Sequence, residues 1–163
     1  MNTNNFDFDF EKALKFVAQN MPLGDQLIKP TLLHSVQVGL NLYSSGYNRE
    51  IAIAGLLHDM LEDTSVREEE IKDMFGEKVA LLVLANTKNN NLPEEERYVD
   101  LIDRCTQAGE DALIVKTADI LDNYHYFVLE KNTKAIEKML YLSKLVRERK
   151  PNHFTDPIYN KLP

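Results

Sequence analysis

Apolar residues recur along this chain at spacings of three and four, the period of an amphipathic helix. Nowhere do they alternate in the strand manner between hairpin turns. The pattern predicts an all-α chain of about seven or eight helices. Phe10, Ala13, Leu14 and Val17 form the apolar stripe of a first helix over roughly Phe8–Asn20. Pro22, Gly24 and Pro30 then punctuate a loop from Met21 to Pro30. A second helix runs from Thr31 to Ser44, where Ser44-Ser45-Gly46 ends it and Gly46 suits a left-handed cap. Arg49–Leu61 reads as a third helix. Its segment from Ile51 to Leu57 is apolar all round, which marks a central, buried helix.

Further on, Ser65 with Glu68 three residues later reads as a capping box opening a short helix to Phe75, with Gly76 as its stop. Glu77 to about Ala85 is the next helix, and Asn86–Pro93 a polar loop. Glu94 to about Gln107 follows, broken by Gly109, then Asp111 to about Leu129 and finally Thr133–Arg149. The expected organisation is one helical domain over residues 1–150 and an irregular, proline-containing tail over 151–163. No heptad pattern persists, so a coiled coil is not expected.

The length of 163 residues suits one domain with a real core. A net charge of −7 argues against a general nucleic-acid binder, whose footprint is basic. It leaves phosphate substrates open, because a metal ion reverses the local field of an acidic pocket. The single cysteine, Cys105, allows no intrachain disulfide. Met1–Phe10 lacks the basic and apolar regions of a signal peptide, and no apolar run approaches the roughly 20 residues that span a bilayer. The expected setting is cytoplasmic, with no membrane or nucleic-acid partner and an open oligomeric state.

The candidate chemistry sits at His34, His58-Asp59, Glu62-Asp63, Asp119 and Asn123. His58 and Glu62, Asp59 and Asp63, and Asp119 and Asn123 are each four apart, so each pair shares a face wherever the helix continues. Alone, His34 reads as a hydrogen-bonded core histidine, Glu62-Asp63 as a solvated helix end, and Asp119 with Asn123 as a structural pair. Together they carry more weight. His58-Asp59 continues one apolar run and Asp119 interrupts another, and buried carboxylates are costly unless paired or metal-bound. Imidazole with carboxylate suits a divalent ion such as Mn, Fe or Zn.

His34 in Leu32-Leu-His-Ser-Val-Gln-Val38, then Leu56-Leu-His-Asp-Met-Leu-Glu-Asp-Thr64, then Val115-Lys-Thr-Ala-Asp-Ile-Leu-Asp-Asn123 follow one another in the order H…HD…D. This resembles the HD-domain phosphohydrolase superfamily. The HDxxED form and the V-K-x-A-D-x-L-x-N block are most similar to the (p)ppGpp hydrolase branch, the RelA/SpoT hydrolase domains and small alarmone hydrolases. The similarity spans roughly Thr31–Tyr126. It implies a helical bundle holding one divalent ion, commonly manganese, on His34, His58, Asp59 and Asp119. It implies that Glu62 and Asp63 position and activate a water, that Asn123 bonds a ribose, and that pyrophosphate leaves the 3′ position of a small nucleotide. Lys88, Arg97, Arg104 and Lys116 are candidate phosphate contacts, set against the ordinary reading of solvated surface charges.

The chain also departs from that branch. The Arg-Lys pair that holds guanine has no counterpart in Met21–Pro30, where Lys29 stands alone. Thr117 replaces the usual leucine, and Ile120 and Asp122 stand where a basic residue and a histidine are common. Two other readings follow from these departures. One is an HD nucleoside 5′-monophosphatase. The other is a metal- or nucleotide-binding module with weakened catalysis.

Overall fold

The computed structural model of the chain describes residues 4–23 and 28–163. Among them there are helices and no strands. In order these are α1 (Asn4–Asn20), α2 (Thr31–Ser44), α3 (Arg49–Leu57), α4 (Met60–Asp63), α5 (Glu68–Phe75), α6 (Glu77–Asn86), α7 (Glu94–Ala108), α8 (Glu110–Leu129) and α9 (Thr133–Arg149). A short 3-10 helix, Pro157–Lys161, ends the chain. The single turn α4 apart, this is an all-α bundle of the expected size. The loop expected over Met21–Pro30 falls in part, at residues 24–27, outside the described residues.

α3 is the axis of the bundle. Every residue from Ile51 to Leu57 is buried, because α1, α2, α6 and α8 pack around it. Its tightest neighbour is α2. A Cβ added at Gly39 would lie 2.3 Å from Leu56 Cγ, and one at Gly55 would lie 2.5 Å from Leu42 Cδ1. Both glycines are needed for the two backbones to come so close. Beyond one end of that crossing, His34 of α2 comes beside His58 at the end of α3.

Four expectations are corrected by the fold, three of them at helix ends. α1 starts at Asn4 and not at Phe8, since Phe6 extends the apolar stripe, with its ring 5.1 Å from Tyr43 and 6.3 Å from Phe10. The helix expected to run to Leu61 stops at Leu57. There His58 Nδ1 donates to the Gly55 carbonyl at 2.8 Å, close to where a continuing helix would bond, and Asp59 turns at φ −95°, ψ −1° before α4 resumes. The capping box at Ser65 is absent. The N-cap of α5 is Arg67, whose backbone N–H donates to Glu70 at 3.0 Å, while Thr64 Oγ1 accepts the Val66 N–H.

The tail expected to be irregular forms the 3-10 helix, opened by Pro157 and capped by Asp156. It packs on α8 and buries Phe154, Ile158, Tyr159 and Leu162. Tyr47 donates to Asp156 at 2.6 Å, and Arg147 donates to the Leu162 and Pro163 carbonyls. No helix among the described residues is long and apolar enough to cross a membrane.

Candidate metal centre

Four side chains from three places in the chain meet at one point. His34 comes from the first turn of α2, His58 and Asp59 from the break between α3 and α4, and Asp119 from the middle of α8. His34 Nε2 lies 3.2 Å from His58 Nε2, 3.0 Å from Asp119 Oδ1 and 3.7 Å from Asp59 Oδ2. His58 Nε2 lies 3.3 Å from Asp59 Oδ2 and 3.4 Å from Asp119 Oδ1. One ligand atom each from His34, His58 and Asp59 falls within 4.8 Å of the others.

The hydrogen bonds fix which way these imidazoles work. His58 Nδ1 faces the Gly55 carbonyl, which only accepts, so the proton is on Nδ1. His34 Nδ1 faces Asp122 Oδ2 at 2.6 Å, which places its proton likewise. Each ring then turns its Nε2 toward the other and toward two carboxylates. Two imidazoles and two carboxylates converging in a buried spot draw positive charge, as a proton or as a metal ion. The electrostatics carry the same message. Burial opposes charge on His58, yet Asp59 and Asp119 outweigh it and push its pKa up to about 10. Burial works against the charge on Asp119 too, but Lys116 and the two histidines hold it well below the usual carboxylate range. Imidazole nitrogens with carboxylate oxygens are a donor set for a divalent ion, so the residues fit the metal that the sequence implies.

The remaining candidates surround this centre. Glu62 and Asp63 both line the cleft above it. Glu62 is clamped by Lys88, through the backbone N–H at 2.6 Å and the ammonium. Asp63 stays exposed at the mouth. Asn123 donates to Asp119 Oδ1 at 2.6 Å. Lys116 is buried and donates to Asp119 Oδ2 at 3.0 Å. Burial disfavours its charge, but Asp119 prevails and keeps it protonated above the ordinary lysine range. Arg97 and Arg104 are not brought in. Arg97 donates to the Leu92 and Asn90 carbonyls, and Arg104 to Asp100 and to the Leu84 and Thr87 carbonyls. Both brace the loop that presents Lys88.

Two residues gain a place that the sequence did not assign. Lys29 reaches across to Asn123 Oδ1 at 2.6 Å, and burial lowers its pKa. Asp122 holds His34. The signal for Asp122 was its spacing, since Asp119, Asp122 and Asn123 share one face of α8. The cleft over the centre holds about 750 Å³, the size of a small-molecule site, and runs outward past Tyr98, Phe127 and Lys138.

Comparison with known proteins places this architecture. A family model described as HD domain matches residues 13–140. The chain belongs to the HD domain family. The HD domain chain is 37% identical over 122 residues to the guanosine-3′,5′-bis(diphosphate) 3′-pyrophosphohydrolase of Aquifex aeolicus, covering 71% of this chain and 17% of that protein. It is 33% identical over 96 residues to the guanosine-3′,5′-bis(diphosphate) 3′-pyrophosphohydrolase MESH1 of Danio rerio, covering 58% of this chain and 53% of that one. It thus spans about half of the MESH1 length and a smaller share of the Aquifex protein. A solved metazoan ortholog of SpoT that hydrolyses ppGpp shares the HD domain fold with a TM-score of 0.75 at 23% identity, over 99% of this chain and 93% of that one.

Proposed function

We propose that this HD domain chain is a metal-dependent phosphohydrolase that removes 3′-pyrophosphate from (p)ppGpp or a closely related small nucleotide. The observation that carries this is the convergence of His34, His58, Asp59 and Asp119 at the floor of a cleft that also collects Lys29, Lys88 and Lys116. The relatives above, with their stated 3′-pyrophosphohydrolase activity, support the choice of reaction.

His34, His58, Asp59 and Asp119 would hold one divalent ion, manganese first and iron or zinc next. Such an ion supplies Lewis-acid charge and lowers the pKa of a water. The chain's own groups do the rest. Glu62 and Asp63 flank the place where a water meets the phosphoryl group, and one of them takes its proton. The Lys88 clamp fixes Glu62, so Glu62 orients while the exposed Asp63 is free to move a proton. Lys29 and Lys116 place positive charge where negative charge gathers on the phosphoryl oxygens, which is most of what phosphoryl transfer requires. Lys29 donates to Asn123 and feels the nearby charges of Asp119, Asp59 and Asp122. Asn123 offers an amide to a ribose hydroxyl.

The nucleoside 5′-monophosphatase reading draws on the Met21–Pro30 loop, which carries Lys29 and no Arg-Lys pair. One screen separates the two. Mn-loaded protein is offered ppGpp, pppGpp, NADPH and nucleoside monophosphates, and the products are identified. Pyrophosphate from ppGpp is expected, falling roughly 10²–10⁴-fold in Asp63→Asn with metal content unchanged. Orthophosphate from monophosphates alone would favour the second reading. Silence throughout would leave a binding module.

A further inference from the structure

One turn of α8 faces the metal centre with three polar side chains, Asp119, Asp122 and Asn123. Asp119 joins the cluster directly, and Asn123 braces Asp119 at 2.6 Å. Asp122 does neither. Its Oδ2 lies 2.6 Å from His34 Nδ1, on the side of the ring away from the cluster. Both side chains are largely buried, at 3% and 12% exposure, so water competes little for this bond.

The two histidines of the centre are held differently. His58 donates to a neutral backbone carbonyl three residues back on its own helix. The backbone of α3 therefore orients it, whatever side chains surround it. His34 has no such support. It stands in the first turn of α2, and its ring is oriented from another helix by a charged carboxylate. A carboxylate behind an imidazole fixes the tautomer, fixes the ring plane and sends the lone pair of the far nitrogen toward the ion.

The geometry points to Asp122 as the positioning residue for His34, forming a carboxylate–histidine–metal relay that sets the affinity of the centre. This rests on the metal reading given above. It also gives physical content to a departure seen in the sequence. A carboxylate replaces the histidine common at this place, and a carboxylate accepts the His34 Nδ1–H with full negative charge. Asp122 itself stays out of the coordination sphere and touches no substrate.

The test is manganese affinity, read by electron paramagnetic resonance titration of the metal-free protein, for wild type, Asp122→Asn and Asp122→Ala. The dissociation constant is expected to rise roughly 10–100-fold in both variants, the range seen when such an outer partner is lost. Metal-free thermal stability is expected to hold or to rise, since a negative charge leaves the neighbourhood of Asp59 and Asp119. In wild type the His34 Nδ1–H proton is expected far downfield in the NMR spectrum, and it is expected to move upfield in Asp122→Asn. A merely structural Asp122 would lower metal-free stability and leave affinity alone, and that result would overturn the proposal. Equal affinity in wild type and Asp122→Asn would overturn it as well. Should Asp122→Asn fail to fold, Asp122→Ala, with a good helix former at that position, decides by the same readouts. Wild type that binds no manganese would instead sink the metal reading, and the relay with it.

Discussion

Lys116 shows how single side chains share a buried charge. Its ammonium is almost fully enclosed, and Asp119 lies 3.0 Å away. Removing one member of a buried pair leaves the other uncompensated, which costs about 3–5 kcal/mol. Lys116→Met is therefore expected to destabilise the metal-free protein by about that much in urea unfolding. With manganese present the loss is expected to shrink, because a bound cation also neutralises Asp119. An equal loss in both states would mean that no ion reaches Asp119. At this scale the sequence was readable in unequal parts. His34, His58, Asp59 and Asp119 stood out because imidazole and carboxylate interrupt apolar runs, and such interruptions need a physical reason. Asp122 and Lys29 were harder, because each acts through a partner more than eighty positions away. Arg97 and Arg104 carry charge that points to phosphate on composition alone. Their donors are spent on loop carbonyls, and only the folded geometry reveals that.

The crossing of α2 and α3 is the element-scale device that assembles the centre. Gly39 and Gly55 let the backbones approach, and both histidines lie at one end of that contact, 3.2 Å apart. Gly39→Ala places a methyl against the Leu56 side chain and backbone, so either Leu56 repacks or the helices separate. Overpacking of this kind costs about 1–3 kcal/mol. Gly39→Ala is expected to lower the unfolding midpoint by that amount and to weaken manganese binding, since His34 and His58 move apart together. Loss of stability with metal affinity intact would mean that the crossing does not set the ligand spacing. The helices themselves were legible from periodicity, and α2 and α9 have the expected limits. The break after Leu57 was not. It arises from the His58 side chain bonding the Gly55 carbonyl, and a competing bond of that kind leaves no trace in the spacing of apolar residues. The start of α5 was misplaced for a related reason. Thr64 spends its hydroxyl on the Met60 carbonyl and the Val66 N–H, and the chain turns into helix only at Glu68.

Over the whole molecule, the tail and the metal centre both bear on α8, the tail through Glu110 at its start and the centre through Asp119 in its middle. The 3-10 helix packs against α8 and is tied by Asp156 to Tyr47 and by its backbone to Glu110 at the start of α8. At the centre, Asp59, Asp119 and Glu62 gather carboxylates in one low-dielectric place, with Lys116, Lys88 and Lys29 as their counterweight. A cation at the centre relieves what those lysines leave over, and it binds the assembled site but not the unfolded chain, whose ligands are scattered between residues 34 and 119. Binding to the folded state alone stabilises it by mass action, by about 2.7 kcal/mol when free metal is a hundredfold above the dissociation constant. Manganese is therefore expected to raise the melting temperature progressively with concentration, and a chelator to reverse the rise. Asp59→Ala removes one ligand and one buried negative charge together. Its metal-free melting temperature is expected to fall, since His58 loses the carboxylate that holds its charge, and its response to manganese is expected to vanish. Wild type that melts at the same temperature across a manganese titration would contradict the assembly of these four side chains around an ion.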